Sequence, residues 1–332
     1  MILTPAIIAL VAGHLLLVAF SLGAAWTGIR ILMHRDLRSG AEGQLRLERR
    51  TYLVSTVMAY LLAFEIFSLF LFIYTADRIH PLFVGAMCAA GALHANGWGY
   101  PTLVLKLVNV MLSGIWLLVN HTDNQAPDYP LIGFKYRWLL AITALLCLEA
   151  LFQWHYFRGI APDMMTSCCG TLFAENAPNV AGDIAALPPR AMQVLFFLSA
   201  VLMLRAGIHF LVTGRGAAVF GALSLWLFPL SLAAVISFVS VYYYELPTHH
   251  CPFDILQPEY RYIGYPLYAS LVTGGIFGTG VGVLQRFAAT PSLTRIVPVL
   301  QRRFCMVAIG AYILAVTISG WPMVFSEFRL TH

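Results

Sequence analysis

The sequence predicts an all-α polytopic membrane protein of about eight transmembrane helices, and three observations carry that expectation. Of its 332 residues, 60% are hydrophobic and only 11% charged, against about 25% charged in an average soluble domain. The apolar residues are gathered into runs long enough to cross the hydrocarbon layer, which takes roughly 20 helical residues. Lipid offers the backbone no hydrogen-bond partner, so such runs must become helices, being too long for the strands of a barrel.

The spans fall at about 5–33, 51–74, 101–120, 138–158, 191–213, 217–243, 266–286 and 304–322. The opening run, MILTPAIIAL, has no basic residue ahead of it, so it reads as a first span and not as a cleavable leader. The third and seventh spans each open on Gly-Tyr-Pro, at Pro101 and Pro266, where proline suits the first helical turn because no donor is needed there. The seventh also carries GGIFGTGVG, in which Gly274, Gly278 and Gly282 recur every fourth residue. That is a smooth face for a neighbouring helix, and no dinucleotide fingerprint, since no strand precedes it. The tyrosines of VYYYE (Tyr242, Tyr243, Tyr244) and of EYRYIGY sit at span ends, where aromatic rings anchor at the interface. No linker, tail or low-complexity tract separates a soluble part, so residues 1–332 form a single membrane domain. Four spans in each half suggest two parallel four-helix repeats, 1–160 and 189–332, joined by the loop 160–188.

Orientation follows from the basic residues. Arg30, Arg35, Arg38, Arg46, Arg49 and Arg50 follow span one, Lys135 and Arg137 follow span three, Arg215 follows span five, and Arg286, Arg295, Arg302 and Arg303 follow span seven. The opposite junctions and the tail hold only Arg78, Arg158, Arg190, Arg261 and Arg329. Short loops rich in Lys and Arg stay cytoplasmic, so both termini are expected to face outward from a bacterial-type inner membrane. Cys88, the adjacent Cys168 and Cys169, and Cys251 then fall in outward loops, in the compartment where disulfides persist. Cys147 lies inside span four, and Cys305 opens span eight at the cytoplasmic edge.

Two of those loops share a pattern. CAAGALHANGWGYP begins at Cys88 and CPFDILQPEYRYIGYP at Cys251, each running from a cysteine to the Gly-Tyr-Pro that starts a helix. The pattern resembles the segment ahead of a transmembrane helix in vitamin K epoxide reductases and their bacterial relatives, and such proteins, like the analogous DsbB family, pass electrons between thiols and a quinone. The resemblance covers two short segments. It implies a redox role for Cys88 and Cys251 and a quinone as cofactor. The Cys-x-x-Cys pair of those enzymes is absent, and Asp254 stands where a second cysteine would be expected.

Three functions fit these loops. Four outward thiols suffice for two communicating redox pairs that exchange with a periplasmic protein. The same loops carry soft or borderline donors, His80, His94, His249, His250, Met164 and Met165, which would suit copper, zinc or haem. Thirdly, the cysteines would staple the loops of a non-catalytic subunit of a transporter or respiratory assembly, with Cys168 and Cys169 each joined to a different loop. Within the spans, Glu65, Lys106, Glu149 and Arg205, with His209, must turn to the bundle interior and pair, because a charge facing lipid costs about 2.5–3.5 kcal/mol on insertion scales. Glu65 and Lys106 are the preferred contact. His14 lies near mid-depth and would be a haem ligand opposite His155 or His209. No Walker motif, HExxH or nucleophile elbow occurs, so neither ATP nor nucleic acid is an expected partner; membrane lipid is.

Overall fold

The computed structural model describes residues 4–34, 42–161, 164–166, 169–174, 177 and 179–328. Among them eight helices are long and apolar enough to cross a membrane: Pro5–Met33, Thr51–Leu82, Gly99–Asp123, Ile132–Arg158, Pro189–Thr213, Ala217–Tyr244, Gly264–Phe287 and Ile296–Phe325. The chain is an all-α polytopic membrane protein, and its helices are in contact with lipid. Several spans outrun their apolar cores, because the backbone keeps its helical bonds into the polar layer. The second reaches Leu82, and the fourth begins at Ile132.

In chain order the helices are α1 (Pro5–His34), α2 (Glu42–Ile79), α3 (Ala89–His94), α4 (Gly99–Asp123), α5 (Ile132–Arg158) and α6 (Cys169–Leu172). There follow α7 (Val180–Ala185), α8 (Pro189–Thr213), α9 (Ala217–Ala234), α10 (Ser240–Tyr244), α11 (Gly264–Leu284) and α12 (Ile296–Phe325). A π-helical turn, Val235–Val239, joins α9 to α10 within one span. Proline starts α8, and Gly-Tyr-Pro starts both α4 and α11. Gly214 ends α8 in the left-handed region at φ 71°, its N–H donating to the Phe210 carbonyl, a geometry that glycine adopts without strain.

The chain divides into two compact units. The first comprises Met1–Thr75, Ala95–Pro162 and Thr290–Ser292, and the second Ala76–His94, Asp163–Ala289 and Leu293–His332. In the first unit α1 and α4 pack on α5 around Leu17, Met58, Leu62, Trp116, Tyr136 and Leu146. Trp116 donates its indole N–H to the Lys135 carbonyl at 3.0 Å, and the Tyr136 hydroxyl donates to that of Thr51 at 3.2 Å. Lys135 is no loop cation: it lies in α5, 1% exposed on its side chain, with Nζ 2.8 Å from Asp123.

In the second unit α11 packs on α9 and α12, and α8 packs on α9 and α12. The glycine stripe permits this. A Cβ on Gly221 of α9 would stand 2.6 Å from the Gly282 Cα of α11, and one on Gly278 would collide with the Ser224 side chain. Tyr312 of α12 donates to the Ser224 carbonyl at 2.7 Å.

Two expectations about side-chain direction need correction. Arg205 and His209 are exposed, not turned to the interior. The buried stripe of α8 is taken by Met203, Gly207 and Phe210, which leaves 205 and 209 on the other side, where a long Arg stem can carry its charge toward a polar layer. Tyr242 and Tyr244, expected as interfacial anchors, are buried.

Candidate functional site

The junctions that follow spans two, four and six meet within the second unit. Val84 and Met165 form an isolated parallel bridge. The Val84 N–H donates to the Met164 carbonyl at 2.9 Å, and the Thr166 N–H to that of Val84 at 3.0 Å. The Thr166 hydroxyl donates to the Gly91 carbonyl at 2.9 Å. Gly85, at φ 91°, leaves room for this strand-like passage, since a Cβ there would lie 2.7 Å from the Thr166 carbonyl oxygen. Gln257 reaches across to Asp77 and to the Met87 carbonyl, and Phe173 packs edge-on against Phe253.

In the same loop region Cys88 and Cys251, 163 residues apart, bring their sulfurs to 3.5 Å. Both residues are 0% exposed. The separation exceeds the roughly 2.05 Å of a covalent disulfide, so they are in van der Waals contact. The Cys251 thiol donates to Asp254 Oδ1 at 3.3 Å, and His249 Nε2 lies 2.6 Å from Oδ2 of the same carboxylate. Burial pushes the Asp254 carboxyl up, but hydrogen bonds from His249, Cys88 and Cys251 outweigh it and hold the group below the usual carboxylate range. Nearby, burial and then the Asp254 charge push the Tyr260 hydroxyl up.

The frame around the pair is built from aromatic hydroxyls. Tyr244 donates to the Cys251 carbonyl at 2.6 Å and accepts the Ile255 N–H at 3.0 Å, while Tyr268 donates to the Pro252 carbonyl at 2.5 Å. His250 donates Nδ1–H to the Ile236 carbonyl at 2.9 Å, inside the π-helical turn. The loop then leaves through Arg261 and Tyr262, both left-handed at φ 54° and 57°.

Cys88, Cys251 and Asp254 offer ligand atoms that all lie within 4.8 Å of one another. Two thiols and a carboxylate are a donor set that zinc or copper could accept. The His and Met donors expected to complete such a site do not gather there. His94 and Met165 are exposed, and His80 bonds the Asp77 carbonyl. His249 reaches the thiols' neighbourhood through Asp254, while His250 turns its Nδ1 to the Ile236 carbonyl. Cys168 and the side chain of Cys169 lie outside the described residues, so their expected links to Cys88 and Cys251 have no structural account. The backbone of α6, which begins at Cys169, packs against α3, which begins one residue after Cys88.

In the first unit the intramembrane charges do turn inward. Lys106 Nζ lies 2.6 Å from Glu149 Oε1, 2.9 Å from Ser68 Oγ and 3.5 Å from Glu65 Oε1. Lys106 therefore has Glu149, not the preferred Glu65, as its nearest partner. Asn109 donates to Glu149 Oε2 at 2.6 Å, and Ser68 to Glu65 Oε2 at 3.0 Å. His14 completes the group: its Nδ1 is 3.4 Å from Glu149 Oε1 and 3.6 Å from Glu65 Oε2. Of the haem ligands considered from sequence, His14 faces the two carboxylates and His155 stacks on Trp98 with ring centroids 5.0 Å apart.

The sequence by itself does not mark Asp254, Ser68 and Asn109 as partners of these groups. The signal for Asp254 was the Cys251-x-x-Asp254 spacing, which a tight turn converts into a thiol–carboxylate contact. Comparison of the chain with protein-family models, with curated proteins and with solved structures gives no match.

Proposed function

We propose that the protein is a membrane dithiol–disulfide carrier whose working pair is Cys88 and Cys251. The observation that supports this most is the 3.5 Å contact between sulfurs brought together from loops 163 residues apart. Bond formation needs a closure of about 1.5 Å, within the range of small side-chain rotations. On oxidation two S–H bonds break and one S–S bond forms. Two protons leave, the first by way of Asp254, which already accepts from the thiols and is tied to His249. Two electrons pass to a disulfide of an extracytoplasmic partner, which becomes a dithiol. Cys168 and Cys169 are the outward relay, because the chain reaches them two and three residues beyond Thr166, itself bonded three residues from Cys88. A quinone is the alternative electron acceptor.

A second reading, a buried soft-metal site, is favoured by the same three ligand atoms within 4.8 Å. One experiment separates the two: purified protein is equilibrated across a series of glutathione ratios, acid-quenched, alkylated and mapped by mass spectrometry, with its metal content measured in parallel. A Cys88–Cys251 crosslinked peptide whose yield follows the glutathione ratio is the expected result. Stoichiometric zinc or copper that is lost in Cys88→Ser would favour the metal. Reduced cysteines at every ratio without metal would end both readings.

A further inference from the structure

The His14, Glu65, Lys106 and Glu149 cluster lies deep in the span region of the first unit. Lys106 is seven residues from Gly99, and Glu149 nine from Arg158, so each is about 10–14 Å along its helix from that end. All four residues are at most 2% exposed. Two carboxylates face one ammonium, which leaves one negative charge in excess. An unbalanced buried charge costs several kcal/mol even after relaxation.

The hydrogen-bond geometry contains the same imbalance. His14 Nε2 lies 3.2 Å from the Leu146 carbonyl, and a carbonyl oxygen only accepts, so Nε2 carries a hydrogen. In the neutral ring Nδ1 is then a lone pair, and it points at two carboxylate oxygens, 3.4 and 3.6 Å away. Among the described residues Nδ1 has no hydrogen-bond partner, and neither has Glu65 Oε1, although the latter is within ion-pair reach of Lys106. Acceptors facing acceptors repel unless a hydrogen stands among them. Among the described residues the other polar side chains that bond the carboxylates, Ser68 of α2 and Asn109 of α4, are neutral and already donate into the group, and the Phe72 ring beside the Lys106 ammonium is uncharged.

We infer that this cluster is a membrane-embedded proton-binding site that holds one exchangeable proton, shared between the Glu65 carboxyl and the His14 imidazole. The proton moves by one balanced step, in which the Glu65 O–H bond breaks as a His14 Nδ1–H bond forms, giving carboxylate and imidazolium. A divalent metal on His14, Glu65 and Glu149 is disfavoured by Lys106, whose ammonium sits 2.6 Å from the Glu149 oxygen that would have to ligate it. The inference is independent of the thiol chemistry.

The test is infrared spectroscopy of the full chain in lipid nanodiscs at neutral pH, in H2O and D2O, with metal analysis of the same samples. Surface carboxylates are ionised there, so a protonated-carboxyl C=O band that shifts in D2O reports the cluster. Expected is one carboxyl equivalent in the wild type. It should disappear in both Glu65→Gln and Glu149→Gln, since either change leaves one carboxylate for one ammonium. It should strengthen in Lys106→Met. A wild-type spectrum without the band also supports the site if His14→Gln makes the band appear, because the proton has then left the ring. The inference is overturned by a band unchanged in Glu65→Gln, by no band in either wild type or His14→Gln, or by one equivalent of metal lost in His14→Gln. Should the variants aggregate, the wild type decides alone: a D2O-sensitive carboxyl band or a 15N signal of imidazolium supports the site, and the absence of both overturns it.

Discussion

Asp254 accepts from three donors, Cys88, Cys251 and His249, and all three converge on it within one loop cluster. Removing a hydrogen-bonded carboxylate of this kind leaves its donors unsatisfied, at about 1–3 kcal/mol. Asp254→Asn should therefore lower the thermal midpoint in detergent. The pH dependence has a definite sign. The folded carboxyl is held below its ordinary value of about 3.9, so its stabilisation is complete above that value and is lost as pH falls through the folded one. Wild type should lose stability in that acid window, and Asp254→Asn should lack this component. A midpoint unchanged by the substitution at neutral pH would show that the three bonds are not formed in solution. The carboxylate was visible in the sequence only as the residue that interrupts a familiar cysteine spacing. Its role depends on the turn at 253–256, which periodicity does not reveal.

Among the elements, α9 and α11 show most directly how residue size sets packing. A Cβ added at Gly221 meets the Gly282 backbone at 2.6 Å, and backbone cannot rotate aside. Gly310, in α12, has nothing within 4 Å of the same added atom. Gly221→Ala should destabilise by about 1–3 kcal/mol, the usual penalty of overpacking, while Gly310→Ala should be neutral or slightly stabilising. Thermal unfolding followed by tryptophan fluorescence checks both, and equal midpoints for the two variants would contradict the close α9–α11 crossing. This stripe was legible in sequence because its period matches the helix. The facing of α8 was not. Desolvation argued that Arg205 should turn inward, but Met203, Gly207 and Phe210 already occupy the buried stripe, and a single helix has one such side. Lys135 misled for a related reason: a cation near a span end looks like loop charge until Asp123 and Asn120 are seen to enclose it.

For the whole chain, the span count was legible because each apolar run is long and each junction carries polar or turn residues. Which loops meet was legible only as a parity: junctions two, four and six fall on one side of any eight-span chain. That Cys88 and Cys251 touch depended on contacts between distant segments. The direction of the bundle still rests on the basic loops, and it makes a sharp expectation. A cysteine introduced for Val180, which is 74% exposed, should react with membrane-impermeant maleimide on intact cells, whereas one introduced for Ala289, an exposed residue at an Arg-rich junction, should react only after lysis. The reverse pattern would invert the assignment. The concealment of the native pair has a further use. Because Cys88 and Cys251 are sealed at 0% exposure, a small neutral alkylating agent can modify them only while the residues packed around them part. The speed of their modification is therefore a built-in clock for how often that packing opens, readable without adding any foreign reporter to the chain.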